Sequence, residues 1–306
     1  MKKLLLIMVT AMLVALLAAC GGESDASSDS KGKLTVGGKN FTEQFILAKI
    51  TSLYLEEQGY EIDEATNMGS EVLRQALESS QVDLYWEYTG TGLVNYLGQD
   101  PVASSEEAYD IVKEMDYNEN EINWLDMANL NNTYTLMMKE ETANQLGITS
   151  VSELAEYVSA NPGEITFASD AEFAIRPDGL PGVESMYGFE FGSSNVVRMD
   201  AGLTYQALND GQVDVAMGFS TDSRILGFNL YNLEDDLGFF PAYNAAVTVR
   251  GDILKAHPEL EELLAPLAEL MDTETMTQLN YLVDIEQKNE TEVATQWLVE
   301  NGLIEE

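Results

Sequence analysis

Gln75-Ala76-Leu77-Glu78-Ser79-Ser80-Gln81-Val82-Asp83 recurs 131 positions later as Gln206-Ala207-Leu208-Asn209-Asp210-Gly211-Gln212-Val213-Asp214. Over the fourteen aligned positions that begin at Gln75 and Gln206, six residues are identical. In both copies the pattern predicts the end of a helix, a turn and then a buried strand. The repeat therefore indicates two lobes, each built around the same structural unit.

The residues around the first copy alternate between strand and helix patterns. Leu34 to Gly38 is strand-like, and Thr42 with Glu43 opens an apolar-periodic helix after a glycine turn. The further predicted elements are a helix at Ser70–Ser79, a strand at Val82–Trp86 and a helix at Glu106–Met115. This alternation predicts an α/β fold.

The strand of each copy ends in an aromatic residue that is followed by small polar residues. The first copy continues as Tyr88-Thr89-Gly90-Thr91 and the second as Phe219-Ser220-Thr221-Asp222. In open α/β sheets, ligands bind beyond the carboxyl ends of the strands. We therefore expect Tyr88 and Phe219 to face each other across a cleft. The alternative is that both rings are ordinary core aromatics and the repeat is a coincidence.

Length and charge narrow the possible partners. The 306 residues exceed one ordinary core and agree with two lobes. Against 53 acidic residues stand 15 Lys and Arg, which gives a net charge of -38 at pH 7 and makes nucleic acid and anionic lipid poor partners. A solvated surface adapted to high salt is favoured over an acidic metal site, because no spacing such as D-x-D-x-D-G is present.

No motif for catalysis stands out in the sequence. His257 is the only histidine and precedes Pro258 in an acidic segment, and neither G-x-S-x-G nor a paired metal-ligand motif is found. We therefore predict a binding protein without catalytic residues, bound metal or cofactor.

The segment Met1–Ala19 has the layout of an export signal, with two lysines, an apolar run and small residues in that order. It leads to Cys20, and Leu17–Cys20 resembles a bacterial lipobox. This predicts a signal peptide over 1–19, a lipid on Cys20, and a flexible Ser- and Gly-rich tether over 20–33. The alternative is an uncleaved anchor helix. As the only cysteine, Cys20 has no partner for an internal disulfide.

Two of the few cations lie where a loop meets the expected cleft. Lys39 stands in the glycine-rich turn Gly37–Gln44 at a helix N-terminus, where free backbone N–H groups and the helix dipole favour an anion. Arg176 lies in the Pro- and Gly-punctuated loop Asp170–Gly179. Both are candidates for holding an anionic ligand group. The alternative for either is a surface salt bridge with the abundant acids.

Aromatic residues supply the other half of a candidate site. Tyr134 follows the turn Asn131–Thr133, and Tyr243 ends the segment Phe239–Tyr243. With Tyr88 and Phe219 they could surround a quaternary ammonium group, which attracts ring faces and donates no hydrogen bond. A cage combined with two cations suits a zwitterion, although each ring taken singly is more commonly part of a core.

Six motifs in unbroken order make the chain resemble the substrate-binding lipoproteins of osmoprotectant ABC importers, which take glycine betaine, choline, carnitine or proline betaine. The motifs are G-G-K-x-F-T-E-Q, D-L-Y-W-E-Y-T-G-T, N-N-T-Y, D-A-E-F-x-x-R-P-D-G, S-T-D and F-F-P-A-Y. The resemblance implies an α/β, two-lobed type II periplasmic-binding-protein fold with two hinge-crossing strands and a ligand cleft between the lobes. It implies a first lobe at 34–133 plus 241–306 and a second at 134–240, with crossovers near Thr133 and Pro241.

The resemblance also implies the roles of the site residues. The cage positions of the family match Tyr88, Tyr134, Phe219 and Tyr243, and the positions that hold the ligand carboxylate match Lys39, Thr91 and Arg176. Phe219 departs from the tyrosine that is usual at its position. Gln44 is a candidate either for contact with the polar end of the ligand or for helix capping.

The function that this resemblance implies is capture of glycine betaine, or a relative, on the outer face of the cell membrane and delivery to a permease driven by an ATPase. Choline lacks a carboxylate and would leave Lys39 and Arg176 unpaired, at a cost of about 1 to 3 kcal/mol, so we expect betaines to be preferred. The alternative is a binding protein or sensor for another small zwitterion, such as choline, carnitine or an amino acid.

Overall fold

The computed structural model describes residues 30–102 and 104–305, which contain two five-stranded β-sheets with helices packed around them. The predicted signal peptide and Cys20 lie outside the described residues. In the described part of the chain, no helix is long and apolar enough to cross a membrane.

The first sheet has the strand order β2-β1-β3-β10-β4. Its strands are β1 (Lys33–Lys39), β2 (Glu61–Met68), β3 (Leu84–Tyr88), β4 (Ile122–Asn131) and β10 (Asn244–Arg250). Strands β1, β2 and β3 are parallel, whereas β10 runs antiparallel to both of its neighbours. All five residues of β3 are buried, as expected for a central strand that is covered on both faces.

The second sheet has the order β7-β6-β8-β5-β9 and repeats much of this plan. Its strands are β5 (Tyr134–Lys139), β6 (Phe167–Ser169), β7 (Val196–Arg198), β8 (Val215–Phe219) and β9 (Leu230–Asn232). Strand β6 is parallel to β7 and β8, and β5 is antiparallel to β8 and β9.

Helices connect the strands and cover the sheets, with a π-helical turn at Gly92–Tyr96. The helices between β1 and β4 are α1 (Thr42–Glu57), α2 (Ser70–Glu78), α3 (Thr89–Thr91) and α4 (Ser105–Asn120). Those among the strands of the second sheet are α5 (Glu140–Leu146), α6 (Val151–Ala160), α7 (Leu180–Tyr187), α8 (Ala201–Asn209) and α9 (Arg224–Gly227). The last four are α10 (Gly251–Ala256), α11 (Leu260–Leu270), α12 (Thr273–Asp284) and α13 (Glu290–Glu300), of which α12 and α13 pack against α1.

The internal repeat is confirmed as a repeated structural unit. Helix α2 leads to β3 and helix α8 leads to β8, and these strands end at Tyr88 and Phe219. The aspartate of each copy has the same task. The carboxylate of Asp83 accepts a hydrogen bond from the backbone N–H of Thr35 at 2.7 Å, and that of Asp214 accepts one from Thr166 at 2.8 Å. Each bond ties the start of a central strand to its parallel neighbour.

The chain crosses between the two sheets twice, once between β4 and β5 and once between β9 and β10. The crossing segments bond to each other, since the backbone N–H of Asn132 donates to the carbonyl of Tyr243 at 3.1 Å, and that of Tyr243 donates to Asn131 Oδ1 at 2.9 Å. Two sheets joined by two neighbouring crossings confirm the predicted α/β fold with two lobes and a hinge.

Residues that were predicted to belong to the tether form hydrogen bonds at the edge of the first sheet. Strand β1 starts at Lys33, and the backbone N–H of Lys31 donates to the carbonyl of Gly59 at 2.9 Å. The backbone of Gly32 accepts from Glu61 at 2.9 Å. The end of the predicted tether therefore lies at the sheet edge, because its backbone groups are paired with Gly59 and with Glu61, the first residue of β2.

Candidate functional site

A cavity of about 30 Å³ lies between the carboxyl end of β3 in the first sheet and strands β5 and β8 in the second. The structure brings together at this cavity all of the cage and carboxylate-binding candidates, Lys39, Tyr88, Thr91, Tyr134, Arg176, Phe219 and Tyr243. Six further residues line it that had not been assigned to the site from the sequence, among them Phe41, Asp170 and Glu172.

Tyr134 is the central ring of the aromatic wall. Its centroid lies 5.3 Å from that of Phe219, which is its partner in the β5–β8 register, and 5.3 Å from that of Tyr243, which stands nearly perpendicular to it. The ring of Tyr243 rests on Gly90. A Cβ atom at Gly90 would lie 2.6 Å from Cε1 of this ring, so only glycine permits the approach.

Phe41 lies between the two rings that were expected to face each other directly. Its ring stacks on Phe219 with a centroid distance of 5.0 Å and on Tyr88 with one of 6.3 Å. Phe41 has an extended backbone immediately before helix α1, which turns its side chain toward the cavity rather than along the helix. Tyr88 and Phe219 therefore belong to one stacked row that Phe41 completes.

The Tyr88 hydroxyl is fixed from behind the cavity. It donates to Glu43 Oε1 at 2.6 Å and accepts from Gln44 Nε2 at 3.0 Å. Burial, together with the negative charge of Glu43, raises the pKa of Tyr88 well above its ordinary value, so the hydroxyl remains a donor.

Gln44 does not line the cavity, in contrast to the predicted ligand contact. It is buried, with the amide nitrogen also donating to the carbonyl of Trp86 at 2.9 Å and the amide oxygen accepting from the backbone N–H of Lys39 at 3.2 Å. Gln44 therefore holds the turn and the Tyr88 ring in place, because it links the start of α1 to both β1 and β3.

Lys39 is paired with a carboxylate inside the protein. Its ammonium lies 2.5 Å from Oε1 of Glu87, and the two side chains are 4% and 0% exposed. Glu87 also accepts hydrogen bonds from the hydroxyls of Tyr85 and Tyr96, each at 2.9 Å. The ammonium of Lys39 lies 5.1 Å from the centroid of the Tyr88 ring, within cation–π range.

Arg176 is held in the same way by the loop in which it lies. Its Nε and Nη2 atoms donate to the two carboxylate oxygens of Asp178 at 2.8 and 2.7 Å, and Nη2 also reaches Thr91 Oγ1 at 3.1 Å. Burial opposes ionisation of Asp178, but the bonds and charge of Arg176 outweigh it and hold the pKa of this carboxyl below its ordinary value. The hydroxyl of Tyr243 donates to the same carboxylate at 2.7 Å.

The expectation that a ligand without a carboxylate would leave Lys39 and Arg176 unpaired is wrong. Each cation has a buried carboxylate partner in the protein, Glu87 or Asp178. Both of these pairs are almost fully buried, in contrast to the surface salt bridge considered as the alternative, and Arg176 adds a longer ion pair of 3.6 Å with Glu172, whose side chain is 31% exposed. The reason for preferring betaines over choline therefore disappears, because the protein itself balances these charges.

Two further carboxylates reach the cavity. Glu172 accepts from the backbone N–H of Ser70 at 2.6 Å and so links the second lobe to the first. Asp170 accepts from the backbone N–H of Phe173 at 2.7 Å. Burial, with the negative charge of Glu172 adding to it, raises the pKa of Asp170 from 3.8 to about 6. The cavity wall thus contains a carboxyl group that titrates near neutral pH.

The missed residues were present in motifs that the sequence had already singled out. Phe41 and Glu43 belong to F-T-E-Q, and Asp170, Glu172 and Asp178 belong to D-A-E-F-x-x-R-P-D-G. Their signal was position within a motif that carries a site cation. In a chain with 53 acidic residues, no spacing rule separates these carboxylates from solvated ones.

Comparison with known proteins places this chain within a family. Residues 32–300 match the family model described as the substrate binding domain of an ABC-type glycine betaine transport system. The chain is 42% identical over 293 residues to the glycine-betaine-binding protein of Pseudomonas aeruginosa, covering 94% of each protein. It is 34% identical over 280 residues to the carnitine transport binding protein OpuCC of Listeria monocytogenes, covering 90% of this chain and 89% of that one.

Solved structures agree with this assignment. A crystal structure of a glycine betaine/carnitine/choline ABC transporter is 29% identical with a TM-score of 0.69, covering 88% of this chain and 99% of that one. Apo YehZ of Escherichia coli is 30% identical with a TM-score of 0.62, covering 89% and 99%. The chain therefore belongs to the family of substrate-binding domains of ABC-type glycine betaine transport systems.

Proposed function

We propose that this protein captures glycine betaine or a closely related quaternary-ammonium solute outside the cytoplasm and delivers it to an ABC importer. The observation that carries the proposal is the arrangement of four rings around one cavity, those of Tyr88, Tyr134, Phe219 and Tyr243. Relatives named for glycine betaine and carnitine binding support it.

The aromatic wall suits the ammonium end of such a ligand. A trimethylammonium group cannot donate a hydrogen bond, so its attraction must come from ring faces and from negative charge nearby. The centroid of the Tyr134 ring lies 5.3 Å from that of Phe219 and 5.3 Å from that of Tyr243, and Asp170 and Glu172 contribute carboxylates to the same cavity. Phe219 keeps the ring face, which provides most of this attraction, and lacks only the hydroxyl.

The polar end of the ligand would meet hydrogen-bond donors whose charges are already balanced. An ammonium has three N–H donors and a guanidinium has five, so pairing with Glu87 and Asp178 leaves Lys39 and Arg176 with further donors. Thr91 adds a hydroxyl beside Arg176. A ligand carboxylate would gain directional hydrogen bonds here rather than a bare positive charge.

We propose that the lobes separate to admit the ligand. Residues of both proposed lobes line the cavity, and hydrogen bonds join the lobes beside it. The two neighbouring crossings supply a hinge, and we propose it lies between a first lobe at 34–133 plus 241–306 and a second at 134–240. Entry would break the contacts that Arg176 makes with Thr91 and Glu172 makes with Ser70.

The proposal includes a lipid on Cys20. Substrate-binding proteins of ABC importers act outside the cytoplasm, and the lipobox-like Leu17–Cys20 supplies a means of retention at the membrane. Mass spectrometry of the protein isolated from membranes would identify a lipidated N-terminal cysteine. An unmodified Cys20 in the membrane-bound protein would contradict this part of the proposal.

Titration calorimetry tests the ligand. Glycine betaine, proline betaine, carnitine and choline should each release or absorb heat with a saturable isotherm, whereas proline, which lacks a quaternary ammonium, should not compete with them. Absence of binding by every quaternary-ammonium compound would refute the proposed function. Uptake of the same solutes by cells, with and without the protein, would separate an importer component from a sensor.

Asp170 should make ligand choice depend on pH. Because its pKa is about 6, the cavity gains a negative charge between pH 5 and 7, facing Glu172, Arg176 and Tyr134. Choline, which is purely cationic, should gain more binding free energy from this charge than glycine betaine. The dissociation constant of choline divided by that of glycine betaine should therefore fall about threefold to tenfold as the pH rises over that range. An Asp170→Asn variant should show no such step, and a constant ratio in the unmodified protein would contradict the prediction.

The same shift has a consequence for stability. The folded protein holds the Asp170 proton more tightly than the unfolded chain, whose value is near 3.8. The contribution of this group to the free energy of unfolding is therefore present below about pH 4 and lost as pH rises through about 6. The Asp170→Asn variant is the matched control. Urea unfolding as a function of pH should show this component of the free energy in the unmodified protein and not in the variant.

A further inference from the structure

Glu43 is a fully buried carboxylate at the point where both lobes and the hinge meet. It lies in the first turn of α1, is 2% exposed, and contacts a second, smaller cavity behind the rings of Phe41 and Phe219. Burial raises the pKa of Glu43. In the described part of the chain its hydrogen-bond partners are neutral groups, so it does not serve to balance a cation.

The two oxygens of this carboxylate have different partners. Oε1 accepts from the hydroxyl of Tyr88 at 2.6 Å and from the side-chain amide of Asn132 at 3.0 Å. Oε2 accepts from the hydroxyl of Thr221 at 2.7 Å. Tyr88 is a cage ring of the first lobe, Asn132 lies in the first crossing, and Thr221 follows β8 in the second lobe.

We propose that Glu43 is a positioning residue that couples the orientation of the Tyr88 ring to closure of the second lobe. Both oxygens of a carboxylate accept hydrogen bonds, so Glu43 can hold donors from both lobes at once. An amide has only one accepting oxygen, and its NH₂ group would face the donors on the other side. The bond to Thr221 forms only when the second lobe approaches. The same closure therefore completes the set of bonds that fixes the Tyr88 ring against the ligand.

The carbonyl of Thr221 supports this reading, since it accepts from the side-chain amide of Asn280 in α12 at 3.2 Å. The loop after β8 is thus held by α12 as well as by Glu43, which belongs to helix α1, and α12 packs against α1. The proposed role of Glu43 in closing the lobes does not depend on a ligand. Its proposed role in orienting the Tyr88 ring rests on the proposed function. The experiment separates the two.

Closure can be measured across the mouth of the cleft. Val72 and Ile175 are exposed and lie near the Ser70–Glu172 contact between the lobes. Spin labels at Val72→Cys and Ile175→Cys, in a Cys20→Ser chain, report the distance between the lobes by pulsed electron resonance. Without ligand, Thr221→Val should shift this distance toward longer values, whereas Thr221→Ser, which keeps the hydroxyl, should leave it unchanged.

Binding provides the second measurement. Thr221→Val and Tyr88→Phe should each raise the dissociation constant for glycine betaine about tenfold, since each removes one hydrogen bond to a buried carboxylate. If Glu43 couples them, the double variant should lose less than the product of the two single effects. Glu43→Gln should resemble the double variant.

The outcomes discriminate clearly. Unchanged mouth distance in Thr221→Val, or single effects that multiply in the double variant, would overturn the proposal. Failure of the unmodified protein to bind any quaternary-ammonium solute would refute the proposed function instead, and the distance comparison of Thr221→Val with Thr221→Ser would still test the role of Glu43 in closure.

Discussion

Replacing Arg176 by methionine should weaken glycine betaine binding about 100-fold, because the ligand carboxylate would lose the roughly two charge-assisted hydrogen bonds that the proposed function assigns to this guanidinium. The free energy of unfolding should fall as well, by about 3 to 5 kcal/mol, since Asp178 is left buried without its cation. The Asp178 side chain is 1% exposed and would retain only Tyr243 and Asn95 as donors. Calorimetry and urea unfolding measure the two effects.

A second substitution separates binding from folding. In Arg176→Met with Asp178→Asn, the buried charge is gone, so much of the stability should return while binding remains weak. Lys49→Met is the matched control, because the Lys49–Glu64 pair is 25% and 30% exposed and lies outside the cavity. Its loss should cost less than about 1 kcal/mol and leave affinity unchanged. Normal affinity in Arg176→Met would exclude this guanidinium from the ligand site.

Replacing Tyr134 by alanine should weaken betaine binding about 30-fold, which corresponds to about 2 kcal/mol for a desolvated cation–π contact. Stability should fall by about 3 kcal/mol, as for other large-to-small changes at packed aromatics. The ring touches those of Phe173, Phe219 and Tyr243, and Arg176 lies 5.4 Å from its centroid. The loss of one ring therefore affects both the wall and its packing.

Tyr134→Phe is the control for this prediction. It keeps the ring face and removes the hydroxyl, so affinity should stay within about threefold of the original. If Tyr134→Phe binds as weakly as Tyr134→Ala, the hydroxyl and not the ring holds the ligand. If Tyr134→Ala binds normally, Tyr134 is a core residue only.

The repeat carried much of the fold because identical residues perform identical structural tasks. Asp83 and Asp214 tie equivalent strands together, and the strands that follow end at Tyr88 and Phe219. A helix end followed by a turn and a short buried strand is a local pattern, so it can be read along the chain. The positions of Tyr88 and Phe219 at the cavity follow from where these two strands end, whereas Arg176 and Tyr243 reach it from a loop and from the second crossing.

The electrostatics of the site could not be predicted in the same way. Glu87 lies 48 positions from Lys39, and nothing local connects them, because their pairing depends on the adjacency of β1 and β3. Asp178 is only two residues from Arg176, but the bidentate geometry depends on the shape of the loop. Phe41 belongs to the stacked row because its backbone is extended and it stands immediately before helix α1. Sequence patterns locate the first residue of a helix only to within a few positions, so they do not show which way the Phe41 side chain turns.

The buried ion pairs have a consequence for ligand binding at high salt concentration. Dissolved ions screen exposed charges over about 8 Å at physiological ionic strength and about 3 Å at 1 M. They cannot enter between Lys39 and Glu87 or between Arg176 and Asp178, whose side chains are all at most 7% exposed. The affinity for a solute should therefore persist as the salt concentration of the medium rises. This is the condition under which a cell most needs to take up compatible solutes from its surroundings.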